Sequence, residues 1–222
     1  TTKFLSDTGE LSWDKTAGIV TVNGARARAV VGFSNNQSIS LGGPGIDCSL
    51  ASGPCVTFAP GKTQTGHSTI HLQLTEGDSF TTGLGRALFS ATGTVRNTDM
   101  QWNATRTSAT WGRAPTRIEV IAANVTLPRA ATEVAVYALD GRGQRIAKVP
   151  VTGTNAATFA IGGSVPTLWY EVVLGAAAPK GEGNKLLDAC GAYCASVTAS
   201  LPTCYAGSND CLEDCATWTG DT

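Results

Sequence analysis

Five acidic residues could supply acid–base chemistry: Asp7, Glu10, Asp14, Glu119 and Glu171. Glycoside hydrolysis needs two such carboxylates about 5 to 9 Å apart across a scissile bond. Four of the five also have a plainer role. Asp7 caps the turn at Thr8-Gly9, while Glu10 and Glu119 read as strand-surface charges. Glu171 lies within Trp169-Tyr170-Glu171 and is expected to pair with an arginine in a partly buried setting. The two histidines, His67 and His71, are four residues apart. On a strand that spacing separates them by about 13 Å, too far for one metal ion. No G-x-S-x-G elbow is present to present a serine nucleophile. No residue is therefore assigned a catalytic or metal-binding role, and no cofactor is expected.

The seven cysteines fall into two groups. Cys48 and Cys55 bracket a short Gly- and Pro-containing loop, which predicts a local disulfide rather than a redox pair of CxxC type. Cys190, Cys194, Cys204, Cys211 and Cys215 crowd the final stretch. Cys190-x3-Cys194 and Cys211-x3-Cys215 each place two thiols one helical turn apart. An antiparallel helical hairpin would join Cys190 to Cys215 and Cys194 to Cys211. Cys204 is then left unpaired or available to another chain. A four-thiolate zinc site competes with this pairing. The missing knuckle glycines and basic residues favour disulfides and an oxidising, extracellular compartment.

Trp102 and Trp111 sit in a polar stretch between Asn97 and Arg113, which suits an exposed surface that stacks on sugar rings. Asn97, Asn103 and Arg106 would add polar contacts to such a glycan-binding surface. Trp13 and Trp169 alternate with apolar neighbours and are expected in the core. Sequons at Asn36, Asn103 and Asn124 are candidate glycosylation sites for a protein secreted through the endoplasmic reticulum.

These residues must be held by a chain of 222 residues with 42% hydrophobic and only 15% charged side chains. That composition fills a core and argues against disorder. The net charge of -1 supplies no field to attract nucleic acid or an anionic membrane. No apolar run reaches the roughly 18 residues of a membrane-spanning helix. No signal peptide is visible at Thr1; the expectation is a secreted protein that has lost one, or a chain that begins inside a longer precursor.

Period-2 alternation dominates residues 1–175. Ile70, Leu72 and Leu74 form one apolar face, backed by Thr69, His71 and Gln73. Arg86 to Val95 continues the pattern with Ala87, Phe89, Ala91 and Val95. Ala25, Ala27, Ala29, Val31 and Phe33 share one parity and are expected inside, with Arg26 and Arg28 outside. Further strands are expected over 117–127, 133–139, 145–149, 158–161 and 168–174. Prolines 115, 128, 150 and 166 fall between strands, where no ladder bond is lost. Without helical periodicity, the expectation is an all-β, antiparallel β-sandwich over 1–175. A linker over 176–183 and a small disulfide-rich, helical-hairpin tail over 184–222 would follow.

Several segments together resemble a known region. Phe4-Leu5-Ser6-Asp7-Thr8-Gly9-Glu10-Leu11-Ser12-Trp13-Asp14, Gly18-Ile19-Val20-Thr21-Val22 and Ala29-Val30-Val31-Gly32-Phe33 carry its first part. Leu88-Phe89-Ser90-Ala91-Thr92-Gly93 with Arg96-Asn97-Thr98, Trp111-Gly112-Arg113-Ala114-Pro115 and Val136-Tyr137-Ala138-Leu139-Asp140 continue it. Trp169-Tyr170-Glu171-Val172 resembles its usual end. The likeness is to the accessory β-sandwich that follows the catalytic barrel in large microbial glycoside-hydrolase-like proteins, over roughly residues 4–174. It implies an accessory module whose catalytic carboxylates belong to an absent barrel. The cysteine-rich tail and the Cys48–Cys55 loop depart from that pattern.

The expected function is therefore a noncatalytic, secreted module that binds a polysaccharide or supports a catalytic barrel domain. Two alternatives compete with it. One is a structural subunit of an extracellular filament or matrix, partnered by identical subunits. The other is a glycoside hydrolase using paired carboxylates.

Overall fold

A computed structural model describes residues 2–49, 53–105 and 107–175. The linker expected over 176–183, the tail, its two cysteine pairs, Cys204 and Arg106 lie outside the described residues. Within them the strands are β1 (Lys3–Leu5), β2 (Leu11–Asp14), β3 (Ile19–Asn23), β4 (Ala27–Gly32), β5 (Ile39–Leu41) and β6 (Val56–Pro60). Next come β7 (Ser68–Glu76), β8 (Gly85–Thr92), β9 (Val95–Thr98), β10 (Gln101–Trp102), β11 (Ser108–Thr110) and β12 (Arg113–Ile118). The series closes with β13 (Ala123–Leu127), β14 (Val134–Leu139), β15 (Arg145–Val149), β16 (Val151–Thr152), β17 (Ala157–Ile161) and β18 (Trp169–Leu174).

A nine-stranded sheet runs β1-β2-β3-β4-β7-β8-β18-β14-β15, and a five-stranded sheet runs β16-β17-β13-β6-β5. Neighbours pair antiparallel in both, some joined directly as hairpins, as β1–β2 and β7–β8 are, others, such as β4–β7, β13–β6 and β13–β17, by longer connections through other strands. One hydrophobic core draws on both sheets, so they pack face to face as a sandwich. The larger sheet contributes Val30, Ile70, Leu72, Phe89, Val136 and Val172; the smaller contributes Val56, Phe58, Val125, Leu127 and Phe159. Phe89 is central. Its ring lies 6.2 Å from Phe58, 6.3 Å from Phe159 and 5.9 Å from Tyr170. Burial of each such ring stabilises the fold by about 2 to 3 kcal/mol. The Tyr170 hydroxyl accepts a bond from the Gly162 N–H at 3.0 Å, which satisfies a polar atom inside the apolar layer. The β1–β2 hairpin adds no side chain to this core.

The β7 and β8 phases match the expectation: Ile70, Leu72, Leu74, Ala87, Phe89 and Ala91 are buried. Val95 is instead exposed, because β8 ends at Thr92 and the chain turns out into β9. The strand expected over 117–127 is two strands in separate sheets, β12 and β13.

The β4 phase is a correction. Arg28 faces inward beside Val30 and is 4% exposed, whereas Phe33 is 50% exposed. Its guanidinium is satisfied internally, donating to the carbonyls of Leu41 at 3.1 Å, Gly42 at 2.9 Å and Ala27 at 3.0 Å. It also lies 5.1 Å over the Phe80 ring. Desolvation in this pocket lowers the Arg28 pKa from its ordinary value. Trp13 and Trp169 are a second correction, being 47% and 42% exposed. Trp13 shares its face of the sheet with Phe4, 5.8 Å away, and the Lys15 ammonium sits 4.9 Å over each ring. On a sheet wider than its partner, alternation alone does not say which face is covered.

Candidate glycan-binding surface

Two small two-stranded ribbons, β9–β12 and β10–β11, carry Asn97 and Trp102, and Asn103 and Trp111 adjoin their strands. Trp102 ends β10 and Trp111 follows β11; they are 55% and 72% exposed. The backbone beneath Trp111 is tightly held. Asn97 donates from Nδ2 to the Trp111 carbonyl at 2.9 Å and accepts from the Thr116 hydroxyl at 2.8 Å. Thr98 donates its hydroxyl to the Pro115 carbonyl at 2.9 Å, and Arg113 pairs with Asp99 at 2.8 Å. Gly112 has φ +67°, and a Cβ there would meet the Thr98 carbonyl oxygen at 2.2 Å, so the close approach requires glycine.

Asn103 organises the turn of the neighbouring hairpin. Its Oδ1 accepts the N–H of Thr105 at 3.1 Å and of Thr107 at 2.9 Å. Such bonds stabilise a turn. The structure thus joins Asn97 to Trp111 directly and places Trp102 and Asn103 in adjacent positions of the second ribbon. Both asparagine side chains brace the surface that carries the indoles.

Beside the β9–β12 ribbon lies a groove of about 650 Å3. Gln64, Arg96, Asn97, Gln101, Arg117 and Glu119 are among its lining residues. Sequence analysis did not single out Arg96 or Arg117 for this groove. Their only local signal is that both fall in strand-like stretches near the two tryptophans.

Three of the five candidate carboxylates, Asp14, Glu119 and Glu171, have defined partners. Glu119 accepts backbone N–H bonds from Gln64 at 2.7 Å and Thr94 at 2.9 Å, which ties β12 to the neighbouring loops. Glu171 is 12% exposed at its side chain and pairs with Arg145 at 2.5 Å and Arg86 at 3.3 Å, the buried pairing expected for it. Asp14 caps its turn by accepting the N–H of Thr16 and of Ala17, each at 2.9 Å. Among the described residues no group of three His, Cys, Asp or Glu side chains is arranged to hold a metal ion.

Cys48 and Cys55 form a disulfide with Cα atoms 6.0 Å apart, closing the loop between β5 and β6. Of the sequon asparagines, Asn36 lies in an exposed turn at φ 54°. Asn124 points outward from the five-stranded sheet, exposed between its cross-strand neighbours Ala59 and Ala160. Comparison of the chain with protein-family models, with curated proteins and with solved structures finds no match.

Proposed function

We propose that this chain is a noncatalytic, secreted module that binds polysaccharide, or supports a catalytic barrel domain, through the surface carrying Trp102 and Trp111. The observation that carries the proposal is the pair of exposed indoles, Trp102 on β10 and Trp111 on the connection into β12, the latter braced by Asn97, Thr98 and the Arg113–Asp99 ion pair. An indole left 72% exposed contributes little to folding, while a pyranose ring presents an apolar C–H face that stacks on it. Bracing limits the entropy lost when a ligand docks. The Cys48–Cys55 disulfide supports an oxidising, extracellular setting, where Asn36, Asn103 and Asn124 are candidate glycan acceptors. The resemblance to accessory sandwiches of glycoside-hydrolase-like proteins supports the same assignment.

The test is retention on insoluble glucan, xylan and chitin. Trp102→Ala/Trp111→Ala should reduce retention at least tenfold with an unchanged melting temperature. Full retention by the folded double variant overturns the site.

A second reading, a structural subunit of an extracellular filament, is favoured by β1. This edge strand is exposed along its length, with Phe4 and Leu5 43% and 66% exposed. Unpaired edge groups of that kind accept a further strand. Concentration-dependent sedimentation abolished by Leu5→Lys would support it, and a monomer at every concentration would count against it.

A further inference from the structure

Arg96 and Arg117 stand directly opposite each other in the β9–β12 ribbon. Both are exposed and both line the groove of about 650 Å3. Cβ atoms of directly opposed residues lie about 4.5 to 5.5 Å apart, and like charges in that position destabilise a ribbon. Neither guanidinium makes an ion pair among the described residues. Arg96 donates to the neutral Gln64 side-chain oxygen at 2.6 Å, which orients it. The two carboxylates that also line the groove are engaged elsewhere: Glu119 by the N–H groups of Gln64 and Thr94, and Asp99 by Arg113. Among the described residues no carboxylate lies within ion-pair distance of either arginine, and Glu119, whose charge its N–H bonds leave intact, is the one uncancelled negative group lining the same groove.

We infer that this groove takes an anionic polysaccharide, with Arg96 and Arg117 gripping its carboxylate or sulfate groups. The inference rests on the glycan-binding proposal and adds the class of ligand. A guanidinium presents its donors as a planar fork that matches a carboxylate or sulfate edge-on, and two opposed forks bracket one anion or two successive ones along a polymer. The side-chain amides of Gln64, Asn97 and Gln101 along the groove supply neutral donors and acceptors suited to sugar hydroxyls. Asn97, which lines the groove, also holds the Trp111 carbonyl at 2.9 Å, so the groove and the stacking residue share one backbone support.

The experiment compares binding to polygalacturonate with binding to its fully methyl-esterified form, which keeps the backbone and loses the charge. Dextran sulfate against dextran makes the same comparison for sulfate. The wild type is expected to bind the charged member of at least one pair tenfold or more tightly. That preference should weaken between 50 and 500 mM salt on the order that counterion release gives for two contacts. It should vanish in Arg96→Gln/Arg117→Gln, whose two positions are exposed and whose circular dichroism should match the wild type.

Equal binding of charged and neutral polymers, unchanged in the arginine variant and lost in Trp102→Ala/Trp111→Ala, overturns the inference and leaves the proposed function standing. Binding that depends on the arginines but not on the tryptophans supports the groove and overturns the stacking surface. Binding to neither member of either pair overturns the inference, and the proposed function then stands or falls on retention by glucan, xylan and chitin. Tighter binding of duplex DNA or of phosphatidylserine vesicles than of any acidic polysaccharide overturns the assignment to a sugar.

Discussion

Arg129 donates from Nε to the backbone carbonyl of Phe80 at 2.7 Å, across 49 residues of sequence. The same guanidinium reaches the carbonyls of Gly83 at 2.7 Å, Ser79 at 3.1 Å and Thr82 at 2.5 Å, so one side chain holds the whole 79–83 loop. Arg28 lies over the ring of the same Phe80. Two buried cations therefore fix one aromatic plug, Arg129 through its backbone and Arg28 through its π face. Desolvation lowers the Arg129 pKa and the nearby Glu133 opposes that shift, yet the group stays charged throughout the working pH range.

Replacing Arg129 with methionine leaves its packing volume and strands four carbonyls. Each charge-assisted bond contributes about 1.5 to 3 kcal/mol, and partial rehydration of the loop recovers some of the sum. The expected loss is about 3 kcal/mol in urea unfolding, with faster amide exchange confined to residues 79–84. A loss below about 1 kcal/mol would show that the loop is held by other means.

Glu171→Gln removes the carboxylate shared by Arg86 and Arg145. Breaking a buried pair from one side costs about 3 to 5 kcal/mol, because the cations stay behind. Arg145 also stacks 4.0 Å from the Tyr137 ring, which keeps it in place when its counterion is gone. Destabilisation of about 3 kcal/mol is expected for Glu171→Gln, and a smaller loss for the double variant Glu171→Leu/Arg145→Leu. The reverse order in chemical denaturation would refute this account.

The Cys48–Cys55 bridge closes a loop with a sequence separation of 7. Loop-closure entropy for that length is worth about 2.5 kcal/mol. Cys48→Ser/Cys55→Ser should lower the free energy of unfolding in urea by that amount and leave the core circular dichroism unchanged. A variant as stable as the wild type would mean that the unfolded loop is already compact.

His71 sits half-buried on the outer face of β7, opposite Ala29 and Ser90, and burial pushes its pKa down. The unfolded chain, with an imidazole pKa of about 6.5, binds more protons than the folded one just below that pH. The contribution of His71 is therefore complete above about pH 6.5. It declines as pH falls through the window down to the depressed folded value. Thermal melts from pH 8 to pH 5 should show a steeper fall for the wild type than for His71→Gln. Parallel curves would exclude His71 as the source.

Strand positions were legible where a strand is covered on one side only. Ile70, Leu72 and Leu74 announced their face because the opposite one is wet. The β4 strand misled because its inward Arg28 is satisfied by carbonyls of Leu41 and Gly42, contacts that alternation does not encode. Trp13 misled for a related reason: its sheet extends beyond the partner sheet, so an apolar residue there has no core to enter. At the candidate site, the exposure of Trp102 and Trp111 was visible in their polar surroundings. The opposition of Arg96 and Arg117 was not, since it depends on the β9–β12 register across 21 positions and on a bulge between Arg113 and Thr116. Arg129 gave no local signal, because its partners lie on a loop distant in sequence.

The β1–β2 hairpin extends the large sheet without lending it a single interior side chain. Substitutions there escape the packing constraints that police the rest of the domain. The exposed side chains of Phe4, Leu5, Leu11 and Trp13 thus make the hairpin the natural place to graft a new edge or label without disturbing the interior.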